Sequence, residues 1–277
     1  MPIIHAIVLG LVQGLTEFLP VSSSAHLIVI PWLLGWDDGG LTFDIALHVG
    51  TLAAVLIYFF KDWVQIIAHG FGLNAGHDPD LNKNRMLLWL LAVGSIPGAI
   101  AGALFEKQAE TNLRSPYLIA AMAIGVGLIM WVAEHLGRKQ KTLGHVSMTD
   151  SIAIGVAQAF AVIPGVSRSG STIAAGLFCN LERETAARFS FLLSTPIIAG
   201  AALKKIWDLH KEHAGIPLDE RTAFIAGIVT AAISGAIVIQ FFLAYLRRRS
   251  LDVFIWYRII FGIIVFALAA FFRLNGR

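Results

Sequence analysis

The chain has 277 residues, 57% of them hydrophobic and only 14% charged, with a mean hydropathy of +0.73; an average soluble domain carries about 25% charged residues. That balance excludes a soluble globular enzyme and indicates a polytopic membrane protein, because windows near the length of a span run almost free of charge at 43–60, 86–105, 116–133, 222–244 and 259–272. The net charge of +3 does not imply nucleic acid, since Lys and Arg fall in short connections between apolar spans and build no basic face.

Residues 3–19 are apolar and helix-compatible, and Pro20 with Ser22, Ser23 and Ser24 then interrupts the pattern before a second apolar piece from Ala25 to Leu34. Each piece is too short to cross about 30 Å at 1.5 Å per residue, so 3–35 is expected to be a re-entrant hairpin of two half-helices. The apolar start contains Gln13 and Glu17 and lacks a positive flank, so a cleavable signal is not expected. Spans are predicted at 43–60, 86–105 and 116–136. The long connection 61–85, with Gly72, Gly76 and Pro79, is expected to be irregular.

The second half repeats this plan. Half-helices at 151–163 and 170–179, broken at Pro164, Gly165 and Ser167, form a hairpin over 151–179, followed by predicted spans at 188–206, 222–246 and 254–272. The expected fold is therefore an all-α integral membrane protein with one domain, 1–277, made of two repeats, 1–140 and 148–277. Three crossings per half is an odd number, so re-entrant hairpins make the repeats inverted in topology. Connections 61–85, 137–150, 180–188 and 247–253 are richer in Lys and Arg than those opposite, so they are expected on the cytoplasmic side. Cys179 is the single cysteine and excludes an internal disulfide.

The two hairpins align without a gap: GLVQGLTEFLPVSSSAHLI at 10–28 matches GVAQAFAVIPGVSRSGSTI at 155–173. Gly10, Gln13, Val21, Ser22, Ser24 and Ile28 recur as Gly155, Gln158, Val166, Ser167, Ser169 and Ile173. The differences carry the chemistry. Glu17 and His26 stand where the second copy has Val162 and Ser171, and Arg168 and Thr172 stand where the first has Ser23 and Leu27. An acid and an imidazole come from one half and a guanidinium from the other, which suggests one site between them.

Gln13 and Glu17, four apart, share a helical face just before the first elbow. An acid at membrane depth is by default a functional residue. Ser22, Ser23 and Ser24, with Ser167, Ser169, Ser171 and Thr172 in the other half, precede helix starts whose free amides and positive ends suit an anion. Ordinary capping is the plainer role for any one hydroxyl. Arg168 needs an anionic partner, either Glu17 or a ligand phosphate, and His26 could move a proton. Asp44 and His48 could form a metal pair but read better as a solvated helix end; Arg258 is expected to snorkel. Together these residues equip a site for phosphoryl transfer or phosphate-ester hydrolysis, or for binding and moving an anion.

QGLTEFLPVSSSAH at 13–26 and PGVSRSGST at 164–172 resemble the two signatures of the undecaprenyl-diphosphate phosphatase family, the bacitracin-resistance type. The resemblance implies a bacterial plasma (inner) membrane enzyme with an outward-facing site. Its reaction is hydrolysis of undecaprenyl diphosphate to undecaprenyl phosphate and inorganic phosphate, which recycles the lipid carrier of cell-wall synthesis. It also implies a divalent cation, Mg²⁺ or Ca²⁺. By position, Glu17, Ser23, His26 and Arg168 take catalytic roles, and Gln13, Ser22, Ser24, Ser167, Ser169 and Thr172 bind substrate. Glu17 and Gln13 would hold the metal, Gln13 standing where many members have Glu. The competing reading is an inverted-repeat transporter or flippase for a phosphorylated lipid or anion. Expected partners are the lipid substrate and the bilayer, with self-association into a homo-oligomer compatible with the glycine-rich spans.

Overall fold

Runs of apolar residues interrupted by Pro, Gly and Ser fold into helices whose breaks fall where those residues cluster. The computed structural model describes residues 1–37, 39–110, 113–211 and 219–274; parts of the second repeat at 212–218 and 275–277 lie outside them. Among the described residues twelve α-helices follow in chain order: α1 Ile3–Phe18, α2 Ser23–Leu34, α3 Gly40–Tyr58, α4 Phe60–Gly70, α5 Pro79–Lys83, α6 Leu87–Glu110, α7 Pro116–Leu136, α8 Met148–Ala159, α9 Arg168–Phe178, α10 Arg183–Lys211, α11 Arg221–Leu246 and α12 Asp252–Leu274. Among the described residues the only β pairing is one isolated bridge, Lys141 to Leu181.

Among the described residues six helices, α3, α6, α7, α10, α11 and α12, are long and apolar enough to cross a membrane. They fall on the six predicted spans, five of them over the charge-free windows. Their outward faces carry exposed Ile57, Ile100, Leu203, Ile233, Ile237 and Ile263, a pattern that suits lipid rather than water. The chain is a multi-pass membrane protein. The helices α1, α2, α8 and α9 are too short to span; sixteen residues of α1 reach about 24 Å.

The connection 61–85 departs from expectation, because it holds α4 and α5 instead of irregular chain. Asp78 caps α5, accepting from the amides of Asp80 and Leu81 with Pro79 in the first turn, and the Gln65 side chain ties α4 to the Asp78 carbonyl at 3.0 Å. Arg188 of α10 then joins Asp62 at 2.7 Å and Asp78 at 2.8 Å. Burial raises the Asp62 carboxyl above its ordinary value, whereas at Asp78 burial is outweighed by Arg188 and the carboxyl lies below its own. Local capping and one shared arginine supply what hydropathy did not show.

Each hairpin packs on the other half of the chain, α1 against α11 and α8 against α6. Glycine makes this approach possible. A Cβ at Gly10 would sit 2.5 Å from the Gly227 carbonyl, and one at Gly155 would collide with the Gly94 carbonyl. The elbows of the two hairpins are thereby brought together in the interior.

Candidate active site

The helix α1 ends at Phe18, Leu19 turns extended, and the chain re-enters helix at Ser23. In the second hairpin α8 tightens into a 3₁₀ turn at Phe160–Val162, and helix resumes at Arg168. Matching residues close both elbows: Ser22 at φ +77° and Ser167 at φ +69°, a region that L residues avoid. Such strain persists only where surrounding contacts fix it. Here Ser169 Oγ donates to the Leu19 carbonyl across the elbows at 3.1 Å.

The principal clasp is Arg258 of α12. It is fully buried, with 0% exposure, and does not snorkel. Its guanidinium donates to Pro20 O (3.2 Å) in the first elbow, and to Gly165 O (2.8 Å) and Val166 O (3.1 Å) in the second. It also reaches Met122 O and Ala123 O on α7. Carbonyls left without partners by two broken helices converge on one cation, which is why a charge is tolerated at this depth.

Beside the clasp the two halves meet through side chains. Arg168 Nη2 donates to Glu17 Oε1 at 2.7 Å. Glu17 Oε2 accepts from Ser23 Oγ at 2.5 Å and from Gln13 Nε2 at 3.1 Å, and His48 Nε2 lies 3.4 Å from it. Glu17, Ser23, Ser24, His48, Ser167 and Arg168 face one cavity of about 250 Å³. Unsatisfied groups surround it: among the described residues Gln13 Oε1, Arg168 Nη1 and both polar atoms of the Gln158 amide are buried without a partner.

The structure divides the expected residues into two sets. Glu17, Ser23, Ser24, Ser167 and Arg168 line the cavity. Gln13 stands behind Glu17. The Ser22 hydroxyl faces Ser24, Ser169 bridges the elbows, and Thr172 pairs with Ser190 Oγ at 2.5 Å, so these three brace the walls. His26 is not brought to the cavity: Nδ1 donates to Ser22 O at 2.7 Å, Nε2 meets Tyr257 Oη at 2.7 Å, and the ring stacks on Phe261. The imidazole that faces the cavity is His48. Its Nδ1 is held by Asp44 O at 2.7 Å, so this turn of α3 is part of the site and not a solvated helix end.

Sequence reasoning thus gave His48 and Arg258 other places, a solvated helix end and a snorkelling side chain, and gave Gln158 no role beyond matching Gln13. The repeat itself pointed to Gln158, the counterpart of Gln13. For His48 and Arg258 the signal was only their polarity within apolar spans.

The family described as bacitracin resistance protein BacA matches residues 6–264 of this chain. An undecaprenyl-diphosphatase of Moorella thermoacetica is 53% identical over 96% of this chain and 98% of its own length. Undecaprenyl-diphosphatases of Pelotomaculum thermopropionicum, 48% identical over 98% of each chain, and of Geobacter sulfurreducens, 46% identical over 95% of this chain and 96% of the relative, are similar to it over the same extent.

Proposed function

The chain belongs to the bacitracin resistance protein BacA family, and on that premise we propose that the cavity between the two elbows is its catalytic site. The chain hydrolyses undecaprenyl diphosphate to undecaprenyl phosphate and inorganic phosphate. The observation that carries the site is the meeting of Glu17 and Ser23 from one hairpin with Arg168 from the other.

In this reading the diphosphate enters among the Ser24 and Ser167 hydroxyls, and Arg168 offers its unpartnered Nη1 to it. Ser23 Oγ attacks the terminal phosphorus. Its proton passes to Glu17 Oε2, which already accepts the hydroxyl hydrogen bond, and the bond from that phosphorus to the bridging oxygen breaks, releasing undecaprenyl phosphate. Water then hydrolyses the phosphoserine and frees inorganic phosphate. Near-normal turnover by Ser23→Ala would exclude this covalent route in favour of direct attack by water. His26 holds the Ser22 carbonyl and so the shape of the elbow, and His48 stands at Glu17 as the neighbouring polar group.

Among the described residues no three His, Cys, Asp or Glu side chains gather as a metal cage. The donors present still suit Mg²⁺ or Ca²⁺, which take a carboxylate, an amide oxygen and substrate phosphates: Glu17 and the unpartnered Gln13 Oε1 would hold it. When bound, the cation supplies neutralisation of the diphosphate charge.

We also place the chain in the bacterial inner membrane as two inverted repeats, with the site toward the outer surface. The inverted repeats draw support from the odd number of spans after each hairpin and from the exchange of packing partners, α1 with α11 and α8 with α6. The test is phosphate release from undecaprenyl diphosphate by purified protein, with and without Mg²⁺ or Ca²⁺, beside Glu17→Ala and Arg168→Ala. Metal-dependent release lost in both variants is expected. Unchanged release in either variant would remove the chemistry from this cavity.

A further inference from the structure

A second cavity of about 440 Å³ opens from the first, and the two share Ile45, Gly98, Gly102, Val162, Ile197 and Ala201. It lies between α6 and α10 and reaches Lys204, the only charged residue in its lining. Two glycines in its walls do no packing work: a Cβ at Gly102 or Gly200 meets no heavy atom of the described residues within 4 Å. Glycine in a helix interior costs about 1 kcal/mol relative to alanine. At Gly10 and Gly155 close helix contact explains glycine; at Gly102 and Gly200 no neighbour does. What the missing side chains leave open is the groove.

A polar group stands where groove and catalytic cavity join. Gln158 is 3% exposed, both its amide atoms lack partners among the described residues, and its Nε2 lies 3.2 Å from where a Gly98 Cβ would be. A buried amide left unpaired is costly, so its donor and acceptor are spare for a ligand at that junction.

We propose that the groove between α6 and α10 seats the isoprenyl chain of the substrate, and that the Gln158 amide at its head donates to the phosphate that stays on the lipid. This rests on the hydrolase reading above and orients the substrate. The terminal phosphorus points to Ser23 and Glu17, the retained phosphate lies between Gln158 and Arg168, and the chain leaves past Gly98 and Gly102 toward Gly200. The apolar lining, its continuity with the diphosphate cavity and the two open glycines together point to an apolar tail joined to that diphosphate as the occupant.

The test compares kcat/KM for undecaprenyl diphosphate with that for isopentenyl diphosphate, which has the same head and almost no tail. In Gly102→Leu and Gly200→Leu the ratio is expected to fall about tenfold or more as the leucine fills the groove. Gly125→Leu, whose added side chain also meets nothing but lies on α7 away from the groove, should leave it unchanged. Gln158→Leu should weaken both substrates alike. An unchanged ratio in the two groove variants would overturn the proposal, whereas wild-type protein that hydrolyses neither substrate would overturn the hydrolase reading itself. Should the leucine variants not fold, a diazirine-bearing isoprenyl diphosphate photolysed on wild-type protein should label 98–103 and 196–204. Labelling elsewhere, or equal labelling of these segments by the isoprenyl alcohol lacking the diphosphate, which would mark an ordinary lipid site, sinks the idea.

Discussion

The first hairpin closes at Ser22 and the second at Ser167, with φ of +77° and +69°, and each lays its first helix on the opposite half of the chain. Their side chains differ. Glu17 and Ser23 come from the first; the second has Val162 and Arg168 at those places. Two like hairpins would put two acids or two arginines side by side, which repel at close range in a medium of low dielectric. Divergence of the side chains on a retained backbone is what turns two anion-attracting elbows into one acid, one hydroxyl and one guanidinium.

The comparison breaks most severely at the charges. Glu17→Gln or Arg168→Gln should each lower kcat by about 10²–10³, the scale of losing one electrostatic contact in a preorganised site. Each should also destabilise the fold by about 3–5 kcal/mol, because the other charge stays buried and unpaired. The double variant separates the two effects. Thermal unfolding should recover in it while phosphate release does not; recovery of both would show that the pair is structural.

Next comes the clasp that both elbows share. Arg258→Met removes the donor that holds Pro20 O, Gly165 O and Val166 O, leaving buried carbonyls unpaired at about 1–3 kcal/mol each. A drop in unfolding temperature and at least about tenfold slower turnover are expected. Arg258→Lys should recover only part, since one ammonium cannot span both elbows as a planar fork does. Full activity in Arg258→Met would mean that each elbow holds its shape alone.

These two predictions differ in how far the sequence announces them. Glu17, Ser23 and Arg168 were legible because the repeat aligns them and because polar residues at a broken apolar helix stand out. The six spans were legible for the same reason: hydropathy records which stretches lipid accepts. Arg258 was not, because its partners are backbone carbonyls, which every residue carries and no residue type marks. The helices α4 and α5 were hidden by their short length and by glycines at 72 and 76, which read as loop but only separate them.

The two histidines sharpen the same contrast. His26 belongs to the motif and faces the wall; His48 belongs to no motif and faces Glu17. Hydropathy places His48 within a span without saying which hairpin that span leans on. His48→Ala should reduce kcat/KM about tenfold, as expected for loss of one close polar contact to a charged group, with little change in unfolding temperature. His26→Ala should do the reverse in proportion, lowering unfolding temperature more than its effect on the affinity for diphosphate, because it releases Ser22 O and Tyr257. Kinetics and melting of the same two preparations check both statements.

The smallest effect lies in the strained serines themselves. At a positive φ, glycine relieves a strain of about 1–3 kcal/mol, so Ser→Gly at either elbow gains from the backbone. The two positions differ in what the hydroxyl does. Ser167 Oγ accepts from the Gly170 amide at 3.0 Å and caps α9, whereas the Ser22 hydroxyl makes no cap to α2 and, among the described residues, meets Ser24 Oγ at 3.3 Å. Loss of a cap costs about 0.5–2 kcal/mol when nothing replaces it, though glycine at the cap is itself tolerated. Ser22→Gly should therefore stabilise the protein by about 1 kcal/mol, and Ser167→Gly should gain less. Equal gains would mean that the Ser167 cap adds nothing. A loss at Ser22 would mean that its hydroxyl, through Ser24 on the cavity wall, holds the first elbow after all.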